Sequence, residues 1–469
     1  MSPGKFFQPR LAALLTSPRT RQSLRKLQEA KRKLGAQPHV VSVWLRVDDP
    51  YSYLLVQVLP RFLAHFDVTL RVFLINGHDL ATTPAPDKLA AYARVDAARL
   101  ARRQALDFPD AATAPAAADC DQATRLLLAH VQQPPAMFLP LAKQVLGALW
   151  RGYHKKLSTL VSRFPLVPAT PASQQLQANQ QALQQLGHYQ PAMLHYGGEW
   201  YWGIDRLPYL AARLQDIGVA RFAHDFALND TPLPFEAGHA GTDFLVSDPG
   251  DLATLRALHL PLDFYFSFRS PYSYLALPRV IGLAEHYGLD LHFRPVLPMV
   301  MRGLPVPREK RMYILLDATR EAERLAIPFG RVCDPVGRGV ERCMALFPAA
   351  QAAGRAGDYL LTVARGIWSE GADVSKDSVL CQLVTQAGLD WSTLEAELRN
   401  TEWQALASDN RDALNNLGLW GVPVLHLTTP RSHCAAWGQD RLWALEDALA
   451  DVLSSPVSQP FVSSGNLSE

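Results

Sequence analysis

The sequence predicts an α/β protein made of two consecutive domains of one plan, and three observations carry that prediction. The pentapeptide PYSYL occurs twice, at Pro50 to Leu54 and at Pro271 to Leu275. Each copy follows a strand-like run, VSVWLRV (Val41 to Val47) and DFYFSF (Asp263 to Phe268), and opens an apolar stretch with helical periodicity. A second strand-like run then follows each time, so both copies read strand, helix, strand, which implies parallel pairing through a right-handed crossover.

Before the first copy lies a basic segment, residues 1–37, in which Lys5, Arg10, Arg19, Arg21, Arg25, Lys26, Lys31, Arg32 and Lys33 face one acid, Glu29. Its apolar run, Leu11 to Leu15, is too short for a signal-peptide core, and secretion is disfavoured. Leu24, Leu27 and Leu34 share one helical face. The segment is expected to lie as a helix against the first domain, leucines inward and cations in solvent. An interfacial membrane helix or a site for an anionic partner is the alternative.

The first domain, residues 38–218, starts with the strand Val41 to Val47, a helix from Pro50 to about Phe66 and a strand from Val68 to Ile75. A long helical stretch follows. The domain closes with a proline-led apolar run, Pro191 to His195, then Tyr201-Trp202-Gly203-Ile204-Asp205-Arg206-Leu207 and a last helix. Residues 219–260, rich in turn formers such as Asn229 to Pro232, Glu236 to Gly238 and Asp248-Pro249-Gly250, read as an irregular linker.

The second domain, residues 261–453, repeats the order: strand, a helix from Pro271 to Tyr287, a strand from Leu289 to Val296, a helical block, then Pro423 to Leu427 and Ala436-Trp437-Gly438-Gln439-Asp440-Arg441-Leu442. Within the helical blocks Tyr92, Asp96 and Arg99 keep the spacing of Tyr313, Asp317 and Arg320, and Ala148-Leu149-Trp150 parallels Gly366-Ile367-Trp368. This order of elements is a thioredoxin-like core with a helical insertion. The tail, residues 454–469, is small and polar and is expected to be disordered.

Composition agrees with a globular chain of more than one domain: 469 residues, 48% hydrophobic and 19% charged, with no apolar run near the roughly 18 residues that span a bilayer. A formal net charge of +2 gives no footprint for nucleic acid. Cys120, Cys333, Cys343, Cys381 and Cys434 are scattered, without C-x-x-C or zinc-like spacing, and read as thiols of a reducing, cytoplasmic compartment.

Ser270-Pro271 is a good helix start, with serine at the cap and proline at the first helical position. The same position suits an anion, because the first turn offers free N–H groups and a partial positive charge. A thiolate placed there would have to come from a ligand, since neither copy has a cysteine at that point.

The segment FYFSFRSPYSYLALPRV, with GLWGVPVL and AWGQDRLWALEDAL far behind it, resembles the 2-hydroxychromene-2-carboxylate isomerase and kappa-class glutathione transferase family, within the DsbA-like thioredoxin folds. The resemblance runs from about Leu262 to Leu453. It implies a glutathione-dependent isomerase or transferase in which Ser270 is the catalytic serine holding the glutathione sulfur. It also implies that Val422, before a cis Pro423, pairs with the glutathione backbone, that Gln439 and Asp440 bind its γ-glutamyl end, and that Lys310 lies near its glycine end. The family's asparagine-bearing loop is shortened here around Arg302-Gly303-Leu304, and Arg302 or Arg308 is the candidate replacement. No C-x-x-C stands at the helix start, so dithiol exchange there is excluded.

Other readings of these residues stay open. Val422-Pro423 is a common structural element, Asp440 suits a helix cap, Trp437 suits a core or rim position, and Lys310 lies in a charged run. The first copy has Asp49 where the second has Ser270, and Ile204 where it has Gln439. Aspartate caps a helix equally well but repels a thiolate, so the first domain is expected to be inactive. A small unsaturated or aromatic-derived acid is the expected substrate. The alternative is a non-catalytic thioredoxin-like protein that binds a peptide or partner in its groove. An internal pseudo-dimer, or a homodimer, is the expected assembly.

Overall fold

A computed structural model describes residues 8–77, 81–228 and 244–454. The linker from 229 to 243 and the tail from 455 lie outside the described residues.

Among the described residues eight strands form two four-stranded sheets. The first contains β1 (Val40–Leu45), β2 (Thr69–Leu74), β3 (Met193–Tyr196) and β4 (Glu199–Trp202); the second contains β5 (Pro261–Phe266), β6 (Asp290–Pro295), β7 (Val424–Thr428) and β8 (His433–Trp437). Their orders, β2-β1-β3-β4 and β6-β5-β7-β8, are equivalent, each with one parallel pair and two antiparallel pairs. The protein is thus an α/β chain of two thioredoxin-like domains.

The crossover helices form where the repeat predicts. Pro50–His65 starts at Asp49, whose carboxylate accepts from Ser52 N, and Pro271–Tyr287 starts at Ser270, whose hydroxyl accepts from Ser273 N. The second helix stops at Gly288, whose φ of 66° is the left-handed conformation that glycine tolerates best. Each helix buries an apolar face on its own sheet. Leu54, Leu59 and Phe62 join Val41 and Val43 in one core, and Leu275, Val280 and Leu283 join Leu262 and Phe264 in another. Among the described residues, five helices of ten or more residues, Pro86–Arg103 to Ala169–Gln185, separate β2 from β3; five more, Arg308–Arg324 to Glu402–Asn416, separate β6 from β7.

Strand register corrects one correspondence. Met193 pairs with Trp44, and Val424 pairs with Tyr265, the counterpart of Trp44 in the second half. Met193 therefore matches Val424, so Ala192, not Pro191, occupies the place of Pro423. The Val422–Pro423 peptide is cis; Ala192 has a φ of 56°. Matching the two runs by their leading prolines shifts the first copy by one position.

Two further expectations change. Part of the linker is ordered: Pro249–Ala257 is a helix, capped by Asp248, which accepts from Gly250 N and Asp251 N. The basic segment also docks the other way round. It forms the helices Pro9–Thr16 and Pro18–Leu34, and the second buries none of its residues. Its inner face is polar. Arg21 binds Glu323 of the second half, and Arg25 binds Glu199 of the first through two hydrogen bonds of 2.6 and 2.8 Å. The leucines point outward.

The halves meet through reciprocal ion pairs. Arg206 donates to Asp317 (2.9 Å) and Asp440 (2.8 Å), while Arg441 donates to Asp96 (2.8 Å) and Asp205 (2.9 Å). The second residue of each PYSYL copy supports this network: Tyr51 donates to Asp96 and Tyr272 to Asp317, both at 2.8 Å. Arg99 caps the carbonyl of Ala435, and Arg320 caps that of Trp200. The matched Asp and Arg positions of the helical blocks are thus the interface.

Candidate functional site

Ser270 is partly buried, and its environment follows from three elements brought together by the second sheet. The start of Pro271–Tyr287 fixes its hydroxyl, which accepts from Ser273 N at 3.1 Å. The approach to β7 places the Val422 carbonyl 3.4 Å from the same oxygen. Trp437, at the end of β8, lies so close to the chain before Val422 that a Cβ on Gly421 would fall 2.4 Å from the indole. Glycine is required there by this close approach.

These groups border a cavity of about 260 Å³, whose lining also includes Met299, Arg302, Lys310, Trp368 and Trp420. Its lining is mainly apolar, with Arg302 and Lys310 among the cations that reach it. Lys310 donates to the carbonyl of Thr82 at 2.6 Å and stands 5.5 Å from the centre of the Trp420 ring. Burial pushes the Lys310 ammonium down to about 8. Arg302 donates to the Trp420 carbonyl, while its Nε is buried without a hydrogen-bond partner. Arg269 is committed to Asp334 through two hydrogen bonds of 2.7 and 2.8 Å.

Of the residues singled out from the sequence, Ser270, Val422 and Lys310 line this cavity, and Pro423 is buried next to Val422. Trp437 is a rim aromatic, stacked edge-on against Trp420 and against Tyr92 of the first half. Arg302 belongs to the cavity; Arg308 is exposed at the start of its helix. Gln439 and Asp440 are not among the lining residues. Gln439 donates to Glu321 and accepts from Arg279, and Asp440 accepts from Arg206. Burial alone would raise the Asp440 carboxyl, but Arg441 and Arg206 hold it well below the usual carboxylate range.

Two contributors, Thr82 and Asp334, carried no signal of their own in the sequence, and Tyr92 stood out only as a repeat position. Thr82 and Tyr92 reach the rim from the first half, Tyr92 accepting from Trp437 N at 2.7 Å. Asp334 lies in the helical block, and only its pairing with Arg269 reveals it. Among the described residues no group of His, Cys, Asp and Glu is arranged to hold a metal ion. Cys333, Cys343 and Cys434 are buried, Cys120 and Cys381 partly so, and none lines the cavity.

The corresponding place in the first half is chemically different. Asp49 is buried, and one of its oxygens accepts from both Ser52 N (2.8 Å) and Ser52 Oγ (2.6 Å). Burial raises its carboxyl, with Arg46 and Ser52 opposing.

Residues 261–450 match the family model of the DSBA-like thioredoxin domain. The second half of this chain is a DsbA-like thioredoxin domain. The chain is 29% identical to a 2-hydroxychromene-2-carboxylate isomerase of Pseudomonas putida over 196 residues, 40% of this chain and 93% of that protein. An isomerase of the same name from Sphingobium xenophagum is 28% identical over 200 residues, 40% of this chain and 98% of its own. A solved structure of 2-hydroxychromene-2-carboxylate isomerase aligns at 27% identity and a TM-score of 0.35, over 41% of this chain and 96% of that one. The DsbA-like domain here has Ser270-Pro271-Tyr272-Ser273 at its helix start and so lacks thiols at that position.

Proposed function

We propose that the DsbA-like domain is the active half of a glutathione-dependent isomerase or transferase acting on a small, unsaturated, aromatic-derived acid. One observation carries this reading: the Ser270 hydroxyl, at a helix start and beside the Val422 carbonyl, stands in the wall of an apolar cavity that Lys310 and Arg302 also line. Those residues suit the tripeptide. Ser270 offers a hydroxyl proton and the first helical turn offers N–H groups to a sulfur anion, Val422 offers backbone, and Lys310 and Arg302 offer charge to a carboxylate.

Bound glutathione would supply a nucleophilic sulfur that adds to, and later leaves, a conjugated double bond. The protein's share is to keep that sulfur ionised at Ser270 and to hold the acid among Trp420, Trp437 and the cations. No separate strong base is required for a reversible addition. The first half is inactive in this reading, since a carboxyl at Asp49 replaces the serine and Ala192 replaces the cis-proline position. The duplicated plan then makes the chain an internal pseudo-dimer.

A second reading, a non-catalytic groove that binds a peptide or partner, is favoured by Asp440, which Arg206 already occupies. Calorimetry with glutathione on the full chain separates the two. Millimolar or tighter binding that is lost in Lys310→Ala supports the enzyme; absence of binding supports the groove protein.

A further inference from the structure

The Pro18–Leu34 helix is amphipathic in the reverse of the usual sense for a helix on a globular protein. Its charged face is the docked one, held by Arg21 to Glu323, by Arg25 to Glu199, and internally by Arg32 to Glu29. Its outer face carries a leucine stripe: Leu24, Leu27 and Leu34 are 57%, 51% and 89% exposed. With 100° per residue, Leu24, Leu27, Lys31 and Leu34 fall within one narrow sector, and Arg19, Lys26 and Lys33 form a parallel row at seven-residue intervals beside it. Arg19, Lys26 and Lys31 have no ion-pair or hydrogen-bond partner among the described residues; Lys33 has only a 3.7 Å contact with Glu29.

Further leucines are exposed beyond this helix. Leu11 and Leu14 of the preceding helix are 50% and 58% exposed. Leu24 shares the lining of one surface cavity with Leu186 and Leu316, both exposed, so leucines from the first half, the second half and the basic segment meet at one place. Folding did not bury them, although the helix had an apolar face available for that purpose. A stripe of exposed leucines flanked by cations without partners matches an interface that is apolar in its depth and negatively charged at its surface.

We propose that this face docks the protein on a bilayer containing anionic lipid, with the leucines at the acyl boundary and Arg19, Lys26, Lys31 and Lys33 among the headgroups. Long lysine stems next to leucine can lie along the apolar layer while their ammonium groups reach phosphate. The two arginine anchors, one to each half, fix the orientation of the helix and so of the whole molecule on the surface. This inference does not depend on the proposed chemistry.

The test is co-sedimentation of the full chain with phosphatidylcholine vesicles, with and without about one third phosphatidylglycerol. Binding to the anionic vesicles is expected, weak on the neutral ones and reversed by roughly half-molar salt. Leu24→Ser, Leu27→Ser and Leu34→Ser together should weaken it at least about tenfold, because three insertion contacts are lost. Lys26→Glu with Lys31→Glu should do the same. All these side chains are exposed, and unchanged thermal unfolding would confirm that the variants fold. No binding to either vesicle, equal binding to both, or indifference to both sets of substitutions overturns the proposal. So does self-association on gel filtration that the leucine variant abolishes while vesicles remain unbound, which would assign the face to a second copy of this chain.

Discussion

Arg206 donates to Asp440 across the interface at 2.8 Å, and Arg441 makes the same contact in return with Asp205 at 2.9 Å. Each arginine also satisfies a carboxylate in the other half's helical block, Asp317 or Asp96. All six groups are buried or nearly so. Arg206→Ala would strand Asp317 without its principal partner and leave Asp440 only the longer contact from Arg441. Removing one member of a buried pair costs about 3–5 kcal/mol. Chemical denaturation should show that loss, and a variant within about 1 kcal/mol of the parent would refute the importance of the network.

At the proposed active centre, Ser270→Ala and Ser270→Asp test different links. Aspartate keeps the helix cap, as Asp49 does in the first half, and stability should change by less than about 1 kcal/mol. Alanine loses the cap and should cost about 1 kcal/mol. Both should abolish most thiol-dependent turnover, because neither can donate a proton to a thiolate at neutral pH. Retained turnover in either variant removes Ser270 from the chemistry. The converse change, Asp49→Ser, should create no second active centre.

The pH dependence of ligand binding follows from Lys310. Burial lowers its ammonium to about 8, so the cation is present below that pH and lost above it. Binding of S-methylglutathione, which has no thiol to titrate, should be about fivefold weaker at pH 9 than at pH 8 if the charge at Lys310 is required. Lys310→Arg should flatten the profile, since guanidinium stays charged. A profile equally steep in the variant would assign the titration to another group.

His188 predicts a stability change on the acid side. Its Nδ1 accepts from Tyr189 N at 2.9 Å, and its buried Nε2 has no partner. Burial, with His195 nearby, lowers the imidazole to about 3, whereas an unfolded histidine titrates near 6.5. The unfolded chain therefore binds the extra proton in that window. The contribution is complete above about pH 6.5 and is lost as pH falls toward 3, at about 1.4 kcal/mol per pH unit. Subtracting the denaturation curve of His188→Gln from that of the parent at pH 7, 5.5 and 4.5 isolates this slope; parallel curves would contradict it.

Much of the fold was legible because local and tertiary requirements coincide. Pro50 and Pro271 start helices that the alternating strands need, and the repeat marks both positions. What was not legible depends on partners distant in sequence. The outward leucines of Pro18–Leu34 are invisible to periodicity, which finds an apolar face but not the side on which Glu323 and Glu199 wait. The resemblance implies a ligand contact for Gln439 and Asp440, yet the helical block supplies Glu321 to the first and the first half supplies Arg206 to the second. Ser270, Val422 and Lys310 came together because they hang on the start of a helix, the start of a strand and the first turns of the next helix, all positioned by one sheet.

The reciprocal interface lies within a single polypeptide, and that changes its concentration dependence. Two separate subunits joined by such contacts part on dilution and present every surface twice. Here the tether holds the partner at an effective concentration on the order of millimolar, so the Thr82 and Tyr92 rim stays over the cavity however dilute the protein becomes. The stoichiometry is one serine-bearing cavity per two thioredoxin-like domains, and a substitution on one side of the interface leaves its counterpart untouched.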